Sequence, residues 1–200
     1  MKIGPKYKIA RRLGAPIFEK TQTQKFQVRS QRNTKTARPR PKSDFALGLM
    51  EKQKARFTYG ITERQFSRYV AEATAKEGNS SELLVRTLES RLDNVVLRAG
   101  FAPTRQAARQ MVSHNHITVN GVTTNIPSMQ VKVGDIISIR EGSKSKGLFA
   151  ALPERLKTVR VPAWMKVDPE LKKITVDGAP FAQQSELMFN VGTIIEFYSR

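Results

Sequence analysis

The stretch Phe101-Ala102-Pro103-Thr104-Arg105-Gln106-Ala107-Ala108-Arg109-Gln110-Met111-Val112-Ser113-His114-Asn115-His116-Ile117-Thr118-Val119-Asn120-Gly121-Val122 passes from turn to helix to strand to hairpin. Pro103 drives Ala102 out of the α region, and Thr104 stands where a helix cap is needed. The helix from Arg105 to about Ser113 sets Ala107, Ala108 and Met111 on one side. Arg105, Arg109 and Ser113 fall at i, i+4 and i+8 on another. Ile117 and Val119 then alternate with polar residues as a half-buried strand, and Asn120-Gly121 is a strong type I′ hairpin signal. A further strand pair is expected at Gln130–Val133 and Ile136–Ile139, joined by a Gly134-Asp135 turn. The pattern predicts a helix–turn–helix packed on a small antiparallel sheet.

Upstream of this stretch the texture is helical. A helix is expected from Ser80–Ser81 to Ala99, burying Leu84, Leu88, Leu92, Val95, Val96 and Ala99, with Gly100 as its terminator. Arg91 and Arg98 share a face of it, so two helices joined by a short turn are expected to present four guanidiniums on neighbouring surfaces. Arginine suits phosphate because its planar fork donates two parallel hydrogen bonds. The plainer reading is a solvated helix face. Earlier, Ser43 can cap a helix running to Phe57 and ending at Gly60. Thr62-Glu63-Arg64-Gln65 reads as a capping box, opening a helix with Phe66, Tyr69, Val70 and Ala73 on one stripe and Gly78 as its stop. This part predicts a small helical bundle.

Downstream signals are weaker. Ser143–Gly147 is a basic loop, and Leu148–Thr158 suits a helix with Pro153 near its start. Trp164, the single tryptophan, is expected to anchor a domain interface rather than to stack on a base. Ile174–Asp177-Gly178 and Phe181 suggest an edge hairpin. Val191–Tyr198 is ambiguous: Val191, Thr193, Ile194 and Ile195 favour a strand, while Asn190 could cap a helix.

The charge names a class of partner. The 200 residues amount to one large domain or two small ones, with 39% hydrophobic content, enough to fold. Lys and Arg number 35 against 17 Asp and Glu, a net charge of +18. Such a field suits a polyanion, because each neutralised phosphate releases counterions. Residues 1–42 hold thirteen Lys and Arg against Glu19 alone, a net of +12 that leaves +6 for the other 158 residues. Residues 28–42 are almost free of apolar side chains and are expected to be disordered alone, either as a solvated tail or as an arm that orders on nucleic acid. Tyr7, Ile9, Leu13, Ile17 and Phe18 give the earlier part apolar anchors. With no cysteine, disulfides, thiolate catalysis and Cys-type zinc sites are excluded. No stretch approaches 18 apolar residues, so the expectation is a soluble, cytosolic, non-membrane protein.

Three motifs carry a resemblance. Leu88–Val96, Arg105–His114 and His116–Gly121 are similar to the S-four RNA-binding module. Lys42-Ser43-Asp44-Phe45, Glu51–Lys54, Tyr59-Gly60-Ile61, Gln65–Val70 and Ile195–Arg200 extend the likeness to the family of bacterial small-subunit ribosomal protein four, over residues 42–200 in order. The resemblance implies an α+β fold: a helical bundle domain with an inserted S-four-type module and a basic N-terminal arm. Its expected domains are the arm at 1–42, the helical domain at 43–87 with 188–200, and the S-four domain with its extension at 88–187. It makes Val191–Tyr198 a helix, since the chain must return to the bundle. It implies a non-enzymatic primary binder of small-subunit (16S) rRNA that nucleates assembly, sits beside ribosomal protein five of the small subunit, and affects decoding fidelity where messenger RNA enters. Many relatives carry an N-terminal cysteine cluster for zinc; here no metal and no cofactor is expected.

The candidate RNA-binding residues are Arg11, Arg12, Arg29, Arg32, Arg38, Arg40 and Lys42 of the arm. Lys52, Lys54, Arg56, Arg64 and Arg68 join them from the bundle, and Arg91, Arg98, Arg105, Arg109, Ser113, His114 and His116 from the module. His114 and His116 have a plainer reading as turn residues bonded locally. A catalytic role is not expected for them, since no paired carboxylate or nucleophile lies nearby in sequence. Two other functions compete. A tRNA-charging or RNA-modifying enzyme needs a catalytic domain for which no Gly-rich loop or room remains. A DNA repressor would place the helix in a major groove, which A-form RNA makes too narrow.

Overall fold

The computed structural model describes residues 3–24, 26 and 43–199 and divides them into two compact units. The first holds the described residues up to Leu84 and those from Gln183 onward; the second is Val85–Ala182, so it is an insertion in the first. Its early helices are α1 (Lys6–Leu13), α2 (Asp44–Tyr59), α3 (Glu63–Thr74) and α4 (Ser80–Glu89), which crosses the boundary. The second unit follows with α5 (Leu92–Arg98), α6 (Arg105–Ser113), β1 (Ile117–Val119), β2 (Val122–Thr124) and β3 (Ile136–Ile139). It closes with α7 (Leu152–Thr158), β4 (Met165–Asp168) and β5 (Lys173–Val176), and α8 (Val191–Ser199) completes the first unit. The fold is α+β, a helical bundle with an inserted helix–turn–helix and sheet.

Caps read from sequence set the helix starts in both units. Ser43, Thr62 and Thr104 each accept a backbone N–H three residues on, from Ala46, Gln65 and Ala107. Gln65 does not complete a capping box; its amide donates to the Tyr69 hydroxyl instead. Phe66, Tyr69, Val70 and Ala73 form the buried stripe of α3 as expected. Asn190 Oδ1 accepts from the Thr193 N–H, so α8 is a capped helix despite its β-branched residues. In the N-terminal part, Ala10, Leu13, Ile17 and Phe18 are buried with Phe26 and Phe57 around them, so this portion folds on its apolar anchors. The expectation of disorder for residues 28–42 lies outside the described residues.

In the second unit the strands run in the order β2-β1-β3-β5-β4, all antiparallel. Asn120 and Gly121 both take positive φ, 51° and 81°, as a type I′ turn requires. Asn120 also accepts from the Ile136 N–H and donates to Asp135, tying the hairpin to the start of β3. Ile117 faces Ile139 and Val119 faces Ile137, and with Leu92, Val95, Val96, Ala108, Met111 and Val112 they make one core.

Four sequence expectations are corrected here. The helix expected from Ser80 to Ala99 breaks at Ser90-Arg91, where Arg91 is extended. The Leu92 and Asp93 N–H groups bond to the carbonyls of Met129 and Pro127, and Val131 N–H bonds to Ser90, so a distant loop replaces one helical turn. That loop forms only an isolated bridge, Arg91 with Gln130, so no strand pair arises from Gln130–Val133. β3 pairs instead with β1 and β5. Residues 173–176 are therefore interior to the sheet, and β4 is the edge of the hairpin. Trp164 belongs to the second unit's own core, its Nε1–H donating to the Phe181 carbonyl.

Candidate nucleic-acid interface

The turn from Ala99 to Thr104 brings the end of α5 against the start of α6, and three arginines gather there. Arg98 grips the Glu89 carboxylate through Nε and Nη2, both at 3.1 Å. Glu89 is fully buried, and 27% of the Arg98 side chain is exposed. The Asn94 amide donates to the same carboxylate at 2.8 Å and, through Oδ1, accepts from Arg105 Nη1. Arg109 Nη1 lies 3.6 Å from Asp93 Oδ2, with 38% of its side chain exposed. Each guanidinium is thus backed by a buried acceptor and edges into solvent.

Arg91 corrects the sequence expectation of four surface guanidiniums. Its side chain is fully buried and forks onto Asp93 at 3.0 and 2.7 Å. The break before α5 turns it inward. It belongs to the interior, and the array has three half-buried members, Arg98, Arg105 and Arg109. Sequence reasoning missed Glu89, Asp93 and Asn94 as its anchors; the signal was there, as three polar residues amid the apolar periodicity of Leu88–Val96.

The histidines sit where α6 runs into β1. His114 ends α6 and is exposed, and His116 Nδ1 lies 2.9 Å from Ser143 Oγ with its ring edge-on to Phe149. Burial, then the charges of Lys146, His114 and Arg140, hold the His116 imidazole below its ordinary value. Lys146 and Arg140 therefore extend the positive surface beyond the residues singled out by sequence. Ser113 bonds its own helix, Oγ donating to the Arg109 carbonyl.

The bundle cations divide in two. Lys52 and Arg56 converge on Glu63 at 2.8 and 3.0 Å, and Lys52 also lies over the Phe197 and Tyr198 rings. Lys54 pairs with Glu51 at 2.6 Å. All three are mostly buried; Lys52 and Arg56 tie α2 to α3, and the Lys54 pair lies within α2. Arg64 and Arg68 are exposed and, with Thr62 and Gln65, line an open groove at the start of α3. Arg11 and Arg12 are exposed on the last turn of α1. Arg29, Arg32, Arg38, Arg40 and Lys42 lie outside the described residues. Among the described residues no His, Asp and Glu cluster is placed to hold a metal, and no helix is long and apolar enough to cross a membrane.

A helix–turn–helix with an arginine-lined end, set on an antiparallel sheet and inserted into a helical bundle, defines an S4-domain protein of the ribosomal type. Residues 90–137 match the S4 domain, and residues 1–89 match the ribosomal protein S4/S9 N-terminal domain. The chain is 41% identical to small ribosomal subunit protein uS4 of Laribacter hongkongensis over 201 residues, 98% of each chain. It is 42% identical to that of Delftia acidovorans over 204 residues, 99% of this chain and 98% of the relative. With the Neisseria meningitidis protein it shares 42% over 202 residues. The chain belongs to the uS4 family of small-subunit ribosomal proteins.

Proposed function

We propose that this protein binds 16S rRNA as a structural, non-enzymatic component of the small subunit in the cytoplasm. In this reading it is a primary binder that nucleates assembly, contacts ribosomal protein five of the small subunit, and influences fidelity where messenger RNA enters. The observation that carries it is the half-exposed array of Arg98, Arg105 and Arg109 at the helix–turn–helix. Planar guanidinium forks carried on two short helices and backed by buried acceptors suit phosphate oxygens better than a loose lysine patch does.

Recognition resides in the S-four domain at 88–187, and His114, His116 and Ser113 border the same surface. The helical domain, 43–87 with 188–200, offers Arg64 and Arg68, while the arm at 1–42 supplies charge. The test is binding of the full chain to folded small-subunit rRNA and to duplex DNA at equal salt. Preference for the rRNA, with co-sedimentation on the small subunit through a high-salt wash, supports the reading. Equal affinity for the two sinks it.

A further inference from the structure

Beneath the arginine array lies a polar layer that is costly to bury, built of two groups, one around Glu89 and Asn94 and one around Asp93. Glu89 and Asn94 are completely buried, and Asp93 nearly so. A buried ion pair contributes little net stability compared with apolar side chains of the same volume. What such a layer does provide is geometry. We infer that Glu89, Asn94 and Asp93 are positioning residues for RNA recognition, fixing Arg98, Arg105 and Arg109 before the RNA arrives; this rests on the reading of that surface as the RNA-binding face.

The connectivity sets each orientation in turn. Glu89 takes both Nε and Nη2 of Arg98, which fixes the plane of the guanidinium. By accepting the Asn94 amide N–H it also turns Asn94 Oδ1 to meet Arg105 on the next helix. One carboxylate thereby orients arginines on α5 and on α6. Asp93, itself fixed by the buried Arg91, lies 3.6 Å from Arg109 Nη1, beyond hydrogen-bond reach, and restrains Arg109 by charge alone. Long side chains ordered in advance lose less freedom on binding, which favours a partner whose phosphates match their spacing.

This reverses a simple electrostatic expectation. Removing an acid from beneath a cationic face should strengthen binding to any polyanion. Positioning predicts the opposite for folded rRNA alone. The experiment compares the full-length protein with Glu89→Gln and Asn94→Ala, binding a folded small-subunit rRNA fragment and poly(U) at one salt concentration. Folding is checked by the thermal transition, and the Arg98 Nε–H signal is followed by NMR in the free protein. Glu89→Gln should weaken binding to folded rRNA roughly 5- to 10-fold, the worth of one ordered hydrogen bond, with poly(U) binding unchanged or tighter. The unmodified protein should show hindered rotation of the Arg98 guanidinium, lost in Glu89→Gln and kept in Asn94→Ala.

A folded Glu89→Gln variant that binds folded rRNA as well or better overturns the inference, as does a freely rotating Arg98 in the unmodified protein. If Glu89→Gln does not fold, Asn94→Ala carries the binding test, since it removes the Asn94 acceptor of Arg105 and keeps Glu89 on Arg98, and undiminished rRNA binding by it is equally negative. Failure of the unmodified protein to prefer folded rRNA over poly(U) refutes the choice of face instead.

Discussion

The Tyr198 hydroxyl donates to Glu63 Oε1 at 2.8 Å and ties the last helix to the first turn of α3 across 135 residues of chain. Lys52 and Arg56 meet the same carboxylate from α2. Tyr198→Phe removes one donor and leaves the others in place. It should cost about 0.5–1.5 kcal/mol in urea unfolding, with the slope unchanged. An unaltered midpoint would show that the bond adds nothing.

Glu63 should also make stability depend on acid. Burial pushes its carboxyl up, but bonds from Lys52 and Tyr198 and the charges of Lys52 and Arg56 outweigh that and leave it lowered. A lowered folded value means that its contribution is complete above the ordinary value of 4.5 and is lost as pH falls through the lowered one. Glu63→Gln should therefore be less stable than the unmodified protein at neutral pH, with the gap narrowing as the pH falls below 4.5. A constant gap across a pH series of denaturant curves contradicts this.

Gly48 lies inside α2, where alanine would ordinarily gain about 1 kcal/mol. A Cβ there would stand 2.7 Å from Phe197 Cδ2 and 3.1 Å from Phe197 Cβ. Overpacking of this kind costs about 1–3 kcal/mol, so Gly48→Ala should lower the melting temperature despite its better helix propensity. A rise would show that α8 yields easily.

Arg91 and Arg109 should separate by phenotype. Arg91→Ala leaves Asp93 buried without its main partner, and loss of one member of such a pair costs about 3–5 kcal/mol of stability. Arg105→Ala and Arg109→Ala should each cost about 1.5–3 kcal/mol of RNA binding and little folding stability. Thermal melts and rRNA titrations of the three variants decide it. Unchanged rRNA affinity in both of the latter would mislocate the binding face.

The arm divides under the same logic. Sequence alone suggests that removing residues 1–42 spares the fold, but Phe57 packs beside Ile17 and Phe18. That deletion should lower the thermal midpoint by uncovering this cluster. Exchanging Arg29, Arg32, Arg38 and Arg40 for glutamine should leave melting alone and flatten the salt dependence of RNA binding, by about 0.7–0.9 for each phosphate no longer neutralised. An unchanged salt slope would remove those residues from the interface.

Local chemistry was legible and tertiary substitution was not. Ser43, Thr62 and Thr104 cap because a side-chain oxygen beside an open N–H needs no distant partner. Asn120-Gly121 specifies its turn by backbone sterics alone. The break at Ser90-Arg91 has no glycine or proline to mark it. It exists because carbonyls of Pro127 and Met129, over thirty residues away, replace the helical partners of Asp93 and Leu92. The same event buries Arg91, so a residue counted as surface by periodicity became interior. The array's half-buried members were readable from spacing; their anchors were marked only as polar residues amid apolar periodicity, and their pairing needed the break before α5.

The insertion has a temporal consequence. Val85–Ala182 is continuous, so the arginine array and strands β1 to β3 can form while synthesis continues. The helical unit is interrupted, and Lys52, Arg56 and Glu63 wait until Tyr198 has been made. The part that begins first closes last, and a nascent chain can hold a finished recognition surface before its own helical unit has sealed.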